Sequence, residues 1–227
     1  MTLALEVVLD AAAAARRVAS LVAERARDAI EHRGELSLAL SKTPPELLRA
    51  LDAEDLPWPS ICVYQVDERV APSGNPARNL TRILEELPPA AHASLRPMPV
   101  EDPDLEAAAE RYAAELPARL ALIHLGLGSD GHTASLVPGD PVLDVRDRLV
   151  AATEEYEGRR RLTLTYSALE AASEIVWLVT GESKREPLAR LLRQDSSIPA
   201  ARVSNACQRV VADSTAAKHL GVPGDVG

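Results

Sequence analysis

The chain of 227 residues has no phenylalanine, two tryptophans and four tyrosines, so its core must come from alanine, valine, leucine and isoleucine. Two cysteines, Cys62 and Cys207, are too few for a disulfide framework. No run approaches 18 consecutive apolar residues, which argues against a membrane-spanning helix. The first basic pair follows the N-terminal apolar run, whereas a signal peptide has the opposite order. We therefore expect a cytoplasmic protein with no membrane partner.

A basic excess is also missing. The 25 basic residues are outnumbered by 34 acidic ones, and the formal net charge is −9. A broad nucleic-acid surface needs a basic stripe, so no nucleic-acid partner is expected. A small anionic ligand needs only a few local cations and remains compatible with this charge. With 46% hydrophobic and 26% charged residues, the composition predicts a globular protein, most simply one domain over residues 1–227.

Strand-like apolar runs alternate with helical patterns along the chain. The predicted strands are Leu3–Leu9, Leu36–Leu40, Ile61–Val66, Leu95–Val100, Leu120–Leu125, Arg161–Thr165, Ile175–Thr180 and Arg209–Ala212. The predicted helices include Asp10–His32, Ala77–Leu87, Asp104–Leu116 and Glu182–Arg193. This order predicts an α/β fold with a Rossmann-like, mostly parallel sheet and helices on both faces. Ligands of such sheets bind at the carboxyl ends of the strands.

The segment Gly126–Gly131 follows a predicted strand and matches the pattern G-x-G-x-x-G. A dinucleotide site would need a full crossover helix after it. Pro138, Gly139 and Pro141 allow only a short helix there, so no nicotinamide or flavin cofactor is expected. We expect instead that Gly128 and Gly131 let the backbone turn sharply and approach a ligand.

Asp130 and His132 lie two residues apart in this turn. Histidine is the side chain best suited to move a proton near neutral pH, and a neighbouring aspartate can fix its tautomer. The pair is therefore a candidate acid–base centre. The alternative is an exposed turn with a solvated histidine.

Other polar clusters also follow predicted strands, and each is weak alone. Asp67-Glu68-Arg69 carries an arginine suited to a phosphate or carboxylate. Asp67 is a candidate substrate contact, and so is Asn79, which could hydrogen-bond the loop or a sugar hydroxyl. Lys184 begins a predicted helix after Gly181, where an anion would also gain from free backbone N–H groups. Ser41, Lys42 and Thr43 precede Pro44 and either bind an anion or cap a helix.

Local spacing supplies no third ligand beside Asp130 and His132, so no metal is expected. His124 lies within an apolar strand and is interpreted as a hydrogen-bonded core residue.

Together these blocks resemble the 6-phosphogluconolactonase family. Residues 125–139, LGLGSDGHTASLVPG, are similar to the family signature, and VDERV at 66–70 with Asn79 is similar to a second block. RLTLT at 161–165, LVTGESK at 178–184 and Pro199-Ala200 resemble further blocks, in the family's order.

The resemblance implies hydrolysis of 6-phosphoglucono-δ-lactone to 6-phosphogluconate in the oxidative pentose phosphate pathway, without organic cofactor or catalytic metal. It implies that His132 is the general base for water and that Asp130 supports it. Arg69 and Lys184 would hold the phosphate or sugar acid and offset developing negative charge. The expected partner is the sugar-phosphate lactone alone, and the expected state is a monomer or small homo-oligomer.

One departure concerns the second strand. The family usually has Ser-Gly-Gly-Ser-Thr-Pro there, where this chain has Ala39-Leu40-Ser41-Lys42 before Thr43-Pro44. Without those glycines the backbone cannot approach as closely, and Lys42 would replace N–H contacts with a charge. Glycines restored at Leu40 and Ser41 are expected to tighten phosphate binding.

Two alternatives remain open. Glucosamine-6-phosphate deaminases share the Asp-Gly-His turn but continue into a segment with a catalytic glutamate, whereas here His132 is followed by Thr-Ala-Ser-Leu-Val-Pro. The altered 39–43 loop is also compatible with a non-catalytic sugar-phosphate binding protein.

Overall fold

The computed structural model describes residues 3–220. Its strands are β1 (Leu3–Val8), β2 (Leu36–Leu40), β3 (Ile61–Gln65), β4 (Asp67–Arg69), β5 (Leu95–Arg96), β6 (Leu122–Gly126), β7 (Val150–Ala152), β8 (Arg161–Leu164), β9 (Ile175–Val179) and β10 (Gln208–Asp213). Its helices are α1 (Ala11–Arg33), α2 (Pro45–Ala53), α3 (Asn79–Glu86), α4 (Pro89–His92), α5 (Leu105–Glu115), α6 (Tyr166–Ala171) and α7 (Arg185–Leu192). No helix within the described residues is long and apolar enough to cross a membrane.

Seven strands form the main sheet in the order β1-β10-β9-β6-β2-β3-β5, and all of its neighbouring strands are parallel. Alternate side chains along a strand face opposite sides, so both faces must be covered. In β2, Leu38 packs with α1 and α2 on one face, and Ala39 packs with α5 on the other. The predicted parallel sheet with helices on both faces is confirmed.

Helix α1 begins and ends as its sequence predicts. Asp10 is the N-cap and accepts a hydrogen bond from the backbone N–H of Ala13 at 2.7 Å. Gly34 ends the helix with φ +84°, a left-handed conformation that glycine adopts without strain. The small residues of α1, such as Ala19 and Ala26, are fully buried and let the helix lie close to the sheet.

A second sheet, in the order β4-β8-β7, is antiparallel and departs from the sequence prediction. The strand predicted at 161–165 belongs here rather than to the parallel array, and β7 is not predicted at all. The chain passes from the main sheet to the second sheet at Val66. The N–H of Val66 donates to the carbonyl of Leu40, and its carbonyl accepts from the N–H of Leu164. The charged triplet Asp67–Arg69 is therefore a strand rather than a solvated strand end.

The short helix predicted after His132 is also wrong. Thr133 and Leu136 form an isolated antiparallel bridge, and Ala134 has φ +52°. The hydroxyl of Thr133 donates to the carbonyl of Gly126, so it closes the loop instead of capping a helix. A single turn of 3₁₀-helix follows at Pro141–Asp144.

Candidate active site

A cavity of about 400 Å³ opens at the carboxyl ends of β2, β6 and β9. This is where a parallel α/β sheet places its ligands. Of the residues predicted from the sequence, six line the cavity: Ser41, Lys42, Arg69, Gly128, His132 and Lys184. Segments distant in the chain thus converge on one pocket.

His132 and Asp130 form a hydrogen-bonded pair at its rim. Nδ1 of His132 lies 2.5 Å from Oδ1 of Asp130, which also accepts the backbone N–H of His132 at 3.1 Å. Partial burial of Asp130 opposes ionisation, but the hydrogen bonds and the charge of His132 outweigh it and lower the pKa of the carboxyl. An ionised carboxylate only accepts, so Nδ1 carries the proton and Nε2 is left as the basic atom.

Gly128 is required by this pair for steric reasons. A Cβ at position 128 would lie 2.2 Å from Nδ1 of His132 and 2.6 Å from Oδ1 of Asp130. Gly131 has a different function, because it has φ +85° and packs where a Cβ would lie 2.5 Å from Ile198. Gly131 is not among the residues that line the cavity.

Four cations line the cavity: Lys42, Arg69, Arg82 and Lys184. Nη1 of Arg69 is fixed by the carbonyl of Ala77 at 3.0 Å and by Oδ1 of Asn79 at 2.8 Å. Burial lowers the pKa of Lys42, and nearby arginines including Arg69 lower it further. Burial also lowers the pKa of Lys184, where the charge of Lys42 adds to the effect and Asp130 opposes it. Mutual repulsion of these cations favours an anion between them.

Asp67 and Asn79 were predicted to contact substrate, but they lie behind the cavity wall. Asp67 is buried and accepts hydrogen bonds from Ser41 at 3.2 Å and Ser135 at 2.8 Å. Asn79 donates to the carbonyl of Asp67 at 2.8 Å while its side-chain oxygen holds Arg69. Both residues therefore support the groups that line the pocket.

Thr43 also faces away from the cavity. Its hydroxyl lies 2.6 Å from the carbonyl of Ser41 and 3.4 Å from Nδ1 of His124. His124 is buried, as the sequence predicts for a core histidine, and burial lowers its pKa to about 4. It nevertheless lines the cavity floor, and its Nε2 has no hydrogen-bond partner.

Arg82, Tyr156 and Glu157 also line the cavity and were not predicted from the sequence. An adjoining pocket of about 270 Å³ adds Arg159 and Arg161. The signal available was the run Arg159-Arg160-Arg161 just before a predicted strand. The tyrosine carried no such signal, because it reaches Asp130 only through the antiparallel sheet.

A parallel α/β sheet with a histidine–aspartate pair and four cations around one pocket is the arrangement of an enzyme suited to small anionic substrates. The family described as Glucosamine-6-phosphate isomerases/6-phosphogluconolactonase matches residues 9–212, and the chain belongs to it.

Curated relatives include a 6-phosphogluconolactonase of Synechocystis sp., 37% identical over 192 residues, which cover 77% of this chain and 79% of the relative. One of Rattus norvegicus is 34% identical over 91% of this chain and 89% of its own length. Among solved structures, a 6-phosphogluconolactonase from Shewanella baltica has the same fold, with a TM-score of 0.83 and 23% identity. The match covers 93% of this chain and 97% of that one.

Proposed function

We propose that the chain hydrolyses 6-phosphoglucono-δ-lactone to 6-phosphogluconate, with His132 as general base. The observation that carries this proposal is the hydrogen bond from His132 to Asp130, which leaves Nε2 basic beside a pocket of cations. The similarity to curated lactonases over 77% and 91% of this chain supports the same reaction.

In the proposed mechanism, Nε2 of His132 removes a proton from water as the water oxygen attacks the lactone carbonyl. The carbonyl oxygen then carries negative charge, which the cationic wall stabilises. Collapse of this intermediate breaks the bond between the carbonyl carbon and the ring oxygen. The imidazolium returns its proton to the ring oxygen, which becomes a hydroxyl. Asp130 holds the ring orientation and stabilises the imidazolium.

The phosphate is assigned to the region around Lys42. That residue lies within electrostatic range of both Lys184 and Arg69, so a dianion there would be held from two sides. Arg82 extends this region toward the adjoining basic pocket. The positive charge of Lys42 thereby takes the place of the backbone N–H contacts that the missing loop glycines would allow.

Within the family, an isomerase or deaminase is the second candidate. The segment after His132 turns back through the bridge between Thr133 and Leu136 and contains no glutamate. Glu157, which does line the cavity, is exposed and paired with Arg161 at 3.2 Å. This arrangement favours hydrolysis.

The test is a coupled assay in which glucose-6-phosphate dehydrogenase generates the lactone and 6-phosphogluconate dehydrogenase reports the product. Spontaneous hydrolysis is subtracted, and glucosamine 6-phosphate is offered in a parallel assay. We expect wild type to accelerate lactone hydrolysis and His132→Gln to lose that acceleration. If neither protein accelerates hydrolysis but wild type still binds 6-phosphogluconate, the chain is a sugar-phosphate binding protein rather than a lactonase. A cytoplasmic location, a single domain and a monomeric or small oligomeric state stay predictions.

A further inference from the structure

Tyr156 touches both members of the histidine–aspartate pair. It lies in the turn between β7 and β8, where its backbone forms a bridge with Arg159. Its hydroxyl lies 3.2 Å from Oδ2 of Asp130. Its ring meets the ring of His132 edge-on, with 5.9 Å between centroids and 67° between planes.

With the hydrogen bond from Tyr156, both oxygens of the Asp130 carboxylate accept hydrogen bonds. Oδ1 accepts from the ring and backbone of His132, and Oδ2 accepts from the tyrosine hydroxyl. A carboxylate held through both oxygens cannot rotate freely about its Cβ–Cγ bond, so the direction of Oδ1 is fixed. Burial and the charge of Asp130 raise the pKa of Tyr156, which keeps the hydroxyl protonated as a donor.

Tyr156 also contacts Arg161. The guanidinium of Arg161 stacks on its ring, 4.9 Å from the centroid. Arg161 is 3% exposed and also contacts the carbonyl of Tyr156 at 3.4 Å. The ring therefore contacts both a buried cation and the Asp130–His132 turn.

We propose that Tyr156 is a positioning residue that, through Asp130, orients the imidazole of His132 for proton transfer. The proposal rests on the proposed function, since it assigns a role within that same site. It differs from substrate binding, because the hydroxyl is directed at Asp130.

The experiment compares Tyr156→Phe with wild type, alone and combined with Asp130→Ala, which removes the acceptor. We expect Tyr156→Phe to lower kcat about tenfold, since hydrogen bonds to charged groups are among the stronger ones. KM and the Kd of 6-phosphogluconate should stay within twofold. In the Asp130→Ala background the same substitution should change kcat less than twofold. Tyr64→Phe, which removes a hydroxyl outside the cavity, is the matched control.

A KM increase without a kcat change would make Tyr156 a substrate contact and overturn the proposal. So would an unchanged kcat, or a tenfold loss that persists without Asp130. A readout that needs no turnover separates this proposal from the lactonase assignment: the NMR signal of the His132 Nδ1 proton. We expect its exchange with water to quicken at least fivefold in Tyr156→Phe, and an unchanged rate would refute the positioning role even if the enzyme had another substrate.

Discussion

Oδ1 of Asp130 lies 2.5 Å from Nδ1 of His132 and also accepts that residue's own backbone N–H. One carboxylate oxygen thus binds the ring and the backbone of a residue two positions along the chain. The geometry is local, because the Asp-Gly-His turn alone brings these atoms together. The catalytic role proposed for the pair depends on the cavity beside it.

Replacing the proposed base tests that use directly. We expect His132→Gln to lower kcat at least 100-fold, because a positioned base contributes about that much or more. The side chain is only partly buried, so the free energy of unfolding should change by less than about 1 kcal/mol. Steady-state kinetics and urea denaturation measure both, with His32→Gln on the exposed face of α1 as control. A variant with near wild-type kcat would remove His132 from the mechanism.

Gly128 should be intolerant even of alanine. The added Cβ would lie 2.2 Å from Nδ1 of His132, so the ring must move and its hydrogen bond to Asp130 must break. We expect kcat to fall at least tenfold while the Kd of 6-phosphogluconate changes less. The His132 Nδ1 proton, followed by NMR, should lose its protection from exchange. An active Gly128→Ala enzyme would show that the pair tolerates displacement.

Lys184 is expected to act mainly in binding. We predict that Lys184→Ala raises KM about tenfold and lowers kcat less, as loss of contacts shared by ground and transition states should. Lys218→Ala, an exposed lysine away from the cavity, is the control. Initial rates over a range of lactone concentrations give both constants, and an unchanged KM would exclude Lys184 from the phosphate region.

The structure reverses one expectation about the second strand. Leu40 ends β2, is 0% exposed and packs in the core, so it is not available as a phosphate loop. Leu40→Gly should lower the free energy of unfolding by about 3–5 kcal/mol, through a cavity and a more flexible backbone. It should not tighten phosphate binding. Urea denaturation and 6-phosphogluconate titration decide this, and a tighter Kd with intact stability would restore the original expectation.

His124 should make stability depend on pH. Its folded pKa of about 4 lies below the ordinary value of 6.5, so the unfolded chain takes up this proton first as pH falls. The free energy of unfolding should then decrease by up to about 1.4 kcal/mol per pH unit between pH 6.5 and 4, and this contribution is absent above that window. His124→Leu should reduce the slope of the free energy of unfolding against pH by up to the contribution of one proton, about 1.4 kcal/mol per pH unit. Equal slopes in the two proteins would show that His124 titrates normally.

The order of strands and helices along the chain was predictable because most strands of the main sheet are apolar runs and α1 carries caps at both ends. Asp10 and Gly34 delimit α1 in the structure as in the sequence. The antiparallel sheet was not predictable, because β4 pairs with β8 nearly a hundred positions later and the charged triplet of β4 has no apolar pattern. The helix expected after His132 does not form, because the hydroxyl of Thr133 donates to the carbonyl of Gly126 and closes the loop.

The sequence by itself determined the alternating α/β order and the Asp130–Gly131–His132 turn, because each depends on residues close together in the chain. Only the tertiary structure decided which polar groups face the cavity. Asp67 and Arg69 are two residues apart in β4, yet one is buried behind the wall and the other lines the pocket. The packing around β4 decides which of the two side chains is buried. Tyr156 likewise reaches Asp130 through tertiary structure, because the long-range pairing of β8 with β4 positions the turn that carries it.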